Sequence, residues 1–307
     1  MKKFVFIVLH FRDVKNTKAC IESLCHMKSP KDVAVEILVV DNYSPDPFPE
    51  NEIKCKIGQV TVVKNAENLG FSGGMNSGMR SALEKGADYV VIVNNDTVFD
   101  EAFLQAANKF IASEKGMGIF VPKIYFYPGN EYHFDRYKEN ERGKVIWYAG
   151  GNIDWDNVIG FHRGVDEVDF GQHDKERETM YATGCCIVFP KEVIEHVGFF
   201  DDSYYLYYED IDLSMRVRRK GFKIFFVPEA MLWHKNAKSS GGSGSPLQDY
   251  FISRNRMLFA MRYAPARTKL AILREGLRLL VSGREWQRKG VRDYFLGRYG
   301  KGSFIIS

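Results

Sequence analysis

The sequence predicts an α/β protein built on a doubly wound, parallel sheet, and three observations predict it. Short runs of β-formers, Phe4–Leu9, Val35–Val40 and Tyr89–Val93, the first and last without a charge, read as strands of a buried sheet. Helical segments alternate with the strands to give the order β-α-β-β-α-β-α. Three of the runs stop in polar residues, at His10, Asp41 and Asn94-Asn95-Asp96. Those groups are expected together at one sheet edge, where open α/β sheets bind ligands.

The organising stretch is Asp88–Asp100, DYVVIVNNDTVFD. Its Asn and Asp side chains offer hard oxygen ligands suited to Mg²⁺ or Mn²⁺ and to the phosphates such ions carry. A strand followed by an ordinary Asn/Asp turn is the competing reading of the stretch by itself.

Composition sets the bounds. The 307 residues suffice for one large α/β domain with an appendage, or for two domains. Hydrophobic content of 45% and charge of 27% are those of a globular protein. The net charge of +4 argues against a polyanion binder, so no nucleic-acid partner is expected. Charge is unevenly spread: Arg254–Lys301 holds 13 Lys/Arg against three acids, a net +10. Such a segment fits an anionic surface. Five cysteines without a CxxC pair fit a reducing compartment better than a disulfide framework. Phe4–Leu9 is too short for a signal-peptide core, and no run reaches the length of a membrane span. The expected location is the cytoplasm, peripheral on the inner face of the cell membrane.

Along the chain, Asn16-Thr17 is expected to cap a helix through Cys20, Ile21, Leu24 and Met27. Val60–Val63 reads as a third short strand, Met75–Lys85 and Glu101–Ser113 as helices. Between them Asn65–Gly78 carries Gly70, Gly73, Gly74 and Gly78, which suit close backbone approach to phosphate or sugar. Their spacing matches neither the dinucleotide nor the P-loop pattern. Residues 124–180 read as an irregular, aromatic and charged excursion including His162-Arg163-Gly164. Thr183–Pro190 is a further strand, Lys191–Val197 a helix, and Gly221–Val227 a final strand leading to Trp233-His234-Lys235. Before that last strand, Glu209 and Asp210 open a helix, where its positive end holds a carboxylate ionised for use as a base. Residues 238–246, KSSGGSGSP, have the composition of a flexible loop, and 247–307 read as basic amphipathic helices. In that tail Leu270, Leu273, Leu277 and Leu280 form one stripe. Membrane-surface binding, packing on the domain and homodimerisation all explain the leucines.

Together these residues resemble the family 2 inverting glycosyltransferases with the GT-A fold. The carrying motifs are VVDNYSPD (Val39–Asp46), NAENLGFSGGMNSGM (Asn65–Met79), VIVNNDTVFD (Val91–Asp100), the block from Thr183 to His234, and ISRNRMLF (Ile252–Phe259). Within that family the chain looks most like bacterial rhamnosyltransferases of surface polysaccharide synthesis. The resemblance implies a mostly parallel central sheet flanked by helices, with a catalytic domain over 1–237. Its donor half covers about 1–115 and its acceptor half about 116–237.

By that resemblance Asp41 contacts the base or ribose of a nucleotide-sugar donor. Asn94-Asn95-Asp96 occupies the DxD position, with Asp96 the ligand of Mn²⁺ or Mg²⁺ and Asn94 removing one charge. His234 completes the metal shell, and Asp210 is the general base beside Glu209. His10, Asn68, Gly70, Gly73, Asn76, Asn94 and Asn95 are the further expected donor contacts. Asp202, Arg254 and Asn255 are expected on the acceptor side. The implied reaction moves a sugar, rhamnose from dTDP-rhamnose, to a hydroxyl of a lipid-linked or polysaccharide acceptor. Another donor such as a UDP-sugar is the alternative. A single displacement needs one base and no enzyme nucleophile, unlike the two-carboxylate hydrolases. A nucleotidyltransferase would need a Gly-rich, basic loop after the first strand, where His10-Phe11-Arg12 stands. A scaffold or lectin-like protein retaining the fold is the non-catalytic rival.

Overall fold

A computed structural model describes residues 1–49, 53, 55–113, 117–236 and 244–305. The elements in order are β1 (Lys2–His10), α1 (Val14–Cys25), β2 (Val33–Asp41), β3 (Gly58–Lys64), α2 (Gly70–Glu84), β4 (Tyr89–Asn94), β5 (Thr97–Phe99), α3 (Phe103–Ile111), β6 (Ile119–Phe126) and β7 (Ile146–Tyr148). There follow β8 (Gly151–Asp154), β9 (Ile159–His162), β10 (Arg177–Glu178), β11 (Cys186–Pro190), α4 (Lys191–Val197), α5 (Glu209–Arg219), β12 (Ile224–His234), α6 (Pro246–Tyr263), α7 (Ala266–Ser282) and α8 (Glu285–Phe295).

The main sheet has the order β10-β12-β6-β11-β4-β1-β2-β3, with β5 on β12 and β7 on β6. From β3 through β1 to β4 every pairing is parallel, as the alternation of strand and helix predicts. Beyond β4 the sheet turns mixed, because β11 runs antiparallel to β4 and β6, which leaves it mostly parallel as the resemblance implies. The long excursion after β6 leaves and returns at one end of the sheet, so β11 enters in reverse, and no crossover helix is required. The outcome is a mixed α/β sheet whose longest ladders are parallel.

The uncharged runs behave as expected, with Phe4–Val8 and Val90–Val93 fully buried. Two strands were disguised. β6 contains Pro122 and Lys123, so its start was not read as a strand and its end was assigned to the irregular excursion. Lys123 is buried because its ammonium bonds Asp169 at 2.7 Å and Asp174 at 2.5 Å. β12 continues past Val227 to His234 through a bulge around Pro228, which tolerates the missing N–H.

Other boundaries also moved. Asp13, not Asn16-Thr17, caps α1, accepting the Asn16 N–H at 2.9 Å. α2 begins at Gly70 rather than Met75, so the glycines lie inside the helix. A Cβ on Gly74 would meet Leu9 and Asn42, and one on Gly78 would meet Ile7 and Val40. Those two glycines let α2 lie close on β1 and β2, not on a ligand. Most of the 238–246 loop falls outside the described residues, and its end is ordered, with Ser245 capping α6 and Pro246 opening it. The expectation of unpaired cysteines is also corrected. The end of α1 lies beside the segment before β3, and Cys25 and Cys55 form a disulfide with Cα atoms 5.0 Å apart. That proximity is tertiary and leaves no trace in cysteine spacing.

The C-terminal helices are not a detached tail. Met257, Leu258, Phe259, Ile272 and Val291 share one apolar cluster with Tyr204, Tyr208 and Ile211. No helix among the described residues is long and apolar enough to cross a membrane.

Candidate active site

The ladder places His10 opposite Asp41 and Leu9 opposite Asn94, so the three polar strand ends do share one edge. Their side chains divide the work differently from expectation. His10 is fully buried, its Nδ1 2.8 Å from Thr17 Oγ1 and its Nε2 2.8 Å from the Asp46 carbonyl. Asp41 accepts the Ser44 N–H at 2.8 Å and the Phe48 N–H at 3.0 Å, one on each oxygen. Both residues therefore shape the loop after β2 instead of facing a ligand. Beyond them opens a cavity of about 630 Å³ lined by Phe11 and Arg12 after β1, Tyr43-Ser44-Pro45 after β2, Glu67-Asn68 before α2, and Lys301. Among the expected donor contacts only Asn68 lines it. Five of the eight lining residues, Phe11-Arg12 and Tyr43-Ser44-Pro45, follow within four positions of His10 and Asp41, the strand ends singled out from sequence. Ligands bind outside the carboxyl ends of the strands, so one step further along the chain was the available signal.

Asn76 is buried and holds the Phe200 segment to α2, with Phe200 N–H to Oδ1 and Nδ2 to the Phe200 carbonyl both at 2.9 Å. Its Nδ2 also donates to Asp202 at 2.7 Å. Gly70 has φ of +71°, and a Cβ there would collide with Tyr205. A Cβ on Gly73 would collide with Leu69, so both glycines answer to packing.

β5 assembles the second part of the site. Pairing of Thr97 with His234 and Val98 with Trp233 carries the end of β12 to the turn after β4. Asp96 Oδ1 then lies 3.1 Å from His234 Nε2, with both residues buried. Around them Asn95 Nδ2 donates to Thr17 Oγ1 at 2.9 Å, and the Lys235 N–H to the Asp96 carbonyl at 2.8 Å. Trp147 packs edge-on against His234 at 4.6 Å and against His162 at 4.3 Å. Burial pushes His162 down to about 4, opposed by its bond to the Trp147 carbonyl and helped by the charge of His234, so the His162 ring is neutral at physiological pH. His234 Nδ1 is buried without a hydrogen-bond partner. A carboxylate oxygen and an imidazole nitrogen converging here suit a divalent cation in kind. No cluster of three or more such side chains occurs among the described residues.

The third part is the head of α5. Tyr205, Tyr207 and Tyr208 all have positive φ. Asn255, fully buried on α6, donates from Nδ2 to the carbonyls of Tyr204 at 2.9 Å and of Leu206 and Tyr207 at 2.8 Å. Arg254 adds bonds to the carbonyls of Ser203 at 3.2 Å and Tyr204 at 3.0 Å. Both were expected to touch an acceptor. The structure instead makes them the clamp on the loop that presents the acids.

That clamp treats the two acids differently. Asp210 is half-buried, with Oδ2 accepting the Gly184 N–H at 2.9 Å and Oδ1 its neighbour Ile211 N–H at 2.8 Å. Burial raises its pKa while those backbone donors oppose the rise. Glu209 is buried, its Oε2 has no partner, and burial followed by the charge of Asp210 holds it well above the usual carboxylate range. Gly184 also ties the acids to the strand ends, since the next residue, Cys185, accepts the Asn94 N–H at 2.9 Å.

Residues 4–198 match the family model for glycosyl transferase family 2. The chain belongs to that family and is a glycosyltransferase. It is 25% identical over 223 residues to an N-acetylglucosaminyl-diphospho-decaprenol L-rhamnosyltransferase of Mycobacterium tuberculosis, covering 67% of this chain and 68% of the relative. It is 23% identical over 262 residues to the dTDP-rhamnosyl transferase RfbF of Shigella flexneri, covering 83% of this chain and 78% of the relative. Its fold is like that of GalNAc-T7 crystallised with UDP, GalNAc and Mn²⁺. There the TM-score is 0.57 at 14% identity, over 97% of this chain and 58% of that one. These likenesses agree with a GT-A α/β fold.

The environment of Glu209 has a pH signature. Its folded pKa is raised, so the stability it contributes is fully present below its ordinary value of 4.5 and is lost as pH rises through the folded value. Glu209→Gln mimics the protonated side chain and lacks that loss. We expect the melting temperature of Glu209→Gln to gain on wild type progressively above pH 4.5, measured by thermal unfolding from pH 4 to 9. A gap that stays constant over this range would mean Glu209 is ionised in the fold.

Proposed function

We propose that the protein is an inverting rhamnosyltransferase using a dTDP-sugar donor and a hydroxyl of a lipid-linked or polysaccharide acceptor. The rhamnose assignment is supported by the names of the two relatives. The observation that carries the chemistry is Asp210: a partly buried carboxylate at the positive end of α5, steadied by two backbone N–H groups and tied through Gly184-Cys185 to the Asn94 strand end. Asp210 takes the proton of the acceptor hydroxyl. The oxygen forms a bond to the anomeric carbon as the bond to the diphosphate breaks. The nucleoside diphosphate departs with the electron pair. Glu209, buried and protonated, adds no competing negative charge beside the base. Asp96 and His234 would hold a Mn²⁺ or Mg²⁺ ion, and a divalent ion so held supplies charge neutralisation to a diphosphate. The cavity beyond β1 and β2 receives the nucleoside.

The C-terminal helices support a membrane role. α7 exposes Leu270, Leu277 and Val281 beside the exposed Arg267, Arg274 and Arg278. This mixture suits an anionic bilayer surface, where a lipid-linked acceptor resides.

Three measurements test these assignments. Asp210→Asn keeps shape but cannot take a proton, so transfer at saturating donor should fall by roughly 10² to 10⁴. Donor affinity should barely change, and Glu209→Gln should cost far less. Near wild-type transfer by Asp210→Asn would remove the base assignment. Asp96→Ala should remain folded but lose the Mn²⁺-dependent part of nucleotide affinity in calorimetry; unchanged affinity with metal present contradicts the ligand assignment. Changing Leu270, Leu277 and Val281 together to Ser should abolish sedimentation with acidic liposomes, and salt should weaken wild-type binding because exposed charges are screened within about 8 Å. Equal binding to neutral and acidic vesicles, or a shift from dimer to monomer on substitution, would point to a homodimer face instead.

A further inference from the structure

The cavity beyond β1 and β2 has one wall that comes from the far end of the chain. Lys301 lies more than two hundred residues after Asn68, yet lines the same space as Arg12, Tyr43 and Asn68. The segment that carries it is built into the fold. After α8 the Arg298 N–H donates to the Asp293 carbonyl at 2.8 Å, and the Gly300 N–H to the Ser203 carbonyl at 2.8 Å. The Ser303 N–H donates to Asp293 Oδ2 at 2.9 Å and Tyr250 Oη at 3.0 Å. Phe304 is buried against Trp286 at 4.9 Å and Phe251 at 5.3 Å.

Between these anchors Gly300 and Gly302 both have positive φ, so Lys301 sits at the tip of a tight turn. A Cβ on Gly302 would run into Tyr250 and Arg254, so the turn has little room to shift. Lys301 is exposed, and no carboxylate pairs with its ammonium among the described residues. A fixed backbone thus presents an exposed cation at the rim of a cavity whose other walls carry the rings of Phe11 and Tyr43, the Asn68 amide, the Arg12 guanidinium and one carboxylate, Glu67.

We propose that Lys301 is part of the nucleotide site: its ammonium pairs with an anionic oxygen of the nucleoside diphosphate, so the C-terminal strap completes the donor pocket. The inference rests on the proposed donor reading of that cavity. The same strap bonds Ser203 at the start of the tyrosine loop, so donor pocket and catalytic loop share one anchor.

The test is calorimetry of the full chain with dTDP and with UDP in the presence of Mn²⁺, for wild type, Lys301→Met and Lys301→Arg. A charge-assisted bond at a partly open rim predicts about tenfold weaker diphosphate binding for Lys301→Met and recovery of most of it in Lys301→Arg. Thymidine and uridine, which carry no phosphate, should lose nothing. In transfer assays the donor KM should rise while kcat holds. Because the side chain is exposed, all three proteins should melt at the same temperature without nucleotide. Equal diphosphate affinity in wild type and Lys301→Met would overturn the role of Lys301 and leave the proposed function standing. A wild-type chain that binds no nucleoside diphosphate at all would overturn the donor reading itself, and this inference with it.

Discussion

Tyrosine gains nothing from a left-handed backbone, yet Tyr205, Tyr207 and Tyr208 adopt one within a single loop. Each such residue costs of order 1–3 kcal/mol and persists only where the surroundings over-determine it. The surroundings here are the buried side chains of Arg254 and Asn255, whose five bonds to the carbonyls of residues 203–207 tie the loop down. At about 0.5–1.5 kcal/mol each, those bonds offset a cost of that size. The interaction sets the start of α5, and so sets where Glu209 and Asp210 point. It also explains why the C-terminal helices share a core with the tyrosine loop: they carry the clamp.

With the loop held, two adjacent carboxylates meet different surroundings. Asp210 has two backbone donors and stays partly exposed, whereas Glu209 is buried with one oxygen unmatched. Backbone donors favour the ionised form and desolvation disfavours it, so one helix start holds an ionisable acid and a neutral one. The aromatic wall of Trp147, His162 and Tyr148 continues the same apolar lining toward His234.

What the sequence disclosed follows from which forces are local. Uncharged runs and polar strand ends are local, so the parallel half of the sheet and the edge shared by His10, Asp41 and Asn94 were legible. Motif resemblance singled out Asp96, His234 and Asp210, and the fold brings the first two into contact. Side-chain direction is not local. His10, Asp41, Asn76, Arg254 and Asn255 carry the polar groups expected of ligand contacts, but each spends its hydrogen bonds on a neighbouring loop. Lys123 hid β6 because its partners Asp169 and Asp174 stand far along the chain. The disulfide and the wall supplied by Lys301 were invisible for the same reason.

The contact between β5 and β12 orders events during synthesis. Strands β1 to β4, with a ladder that is parallel throughout, are all made before residue 95. Asp96 is then in place, but its imidazole partner lies at the end of the last strand, and the clamp on the tyrosine loop lies further on, in α6. A growing chain thus holds the first four strands well before it holds Asp210, His234 and the clamp. The arrangement around Asp96 depends on residues beyond 200 as much as on the motif-rich first hundred.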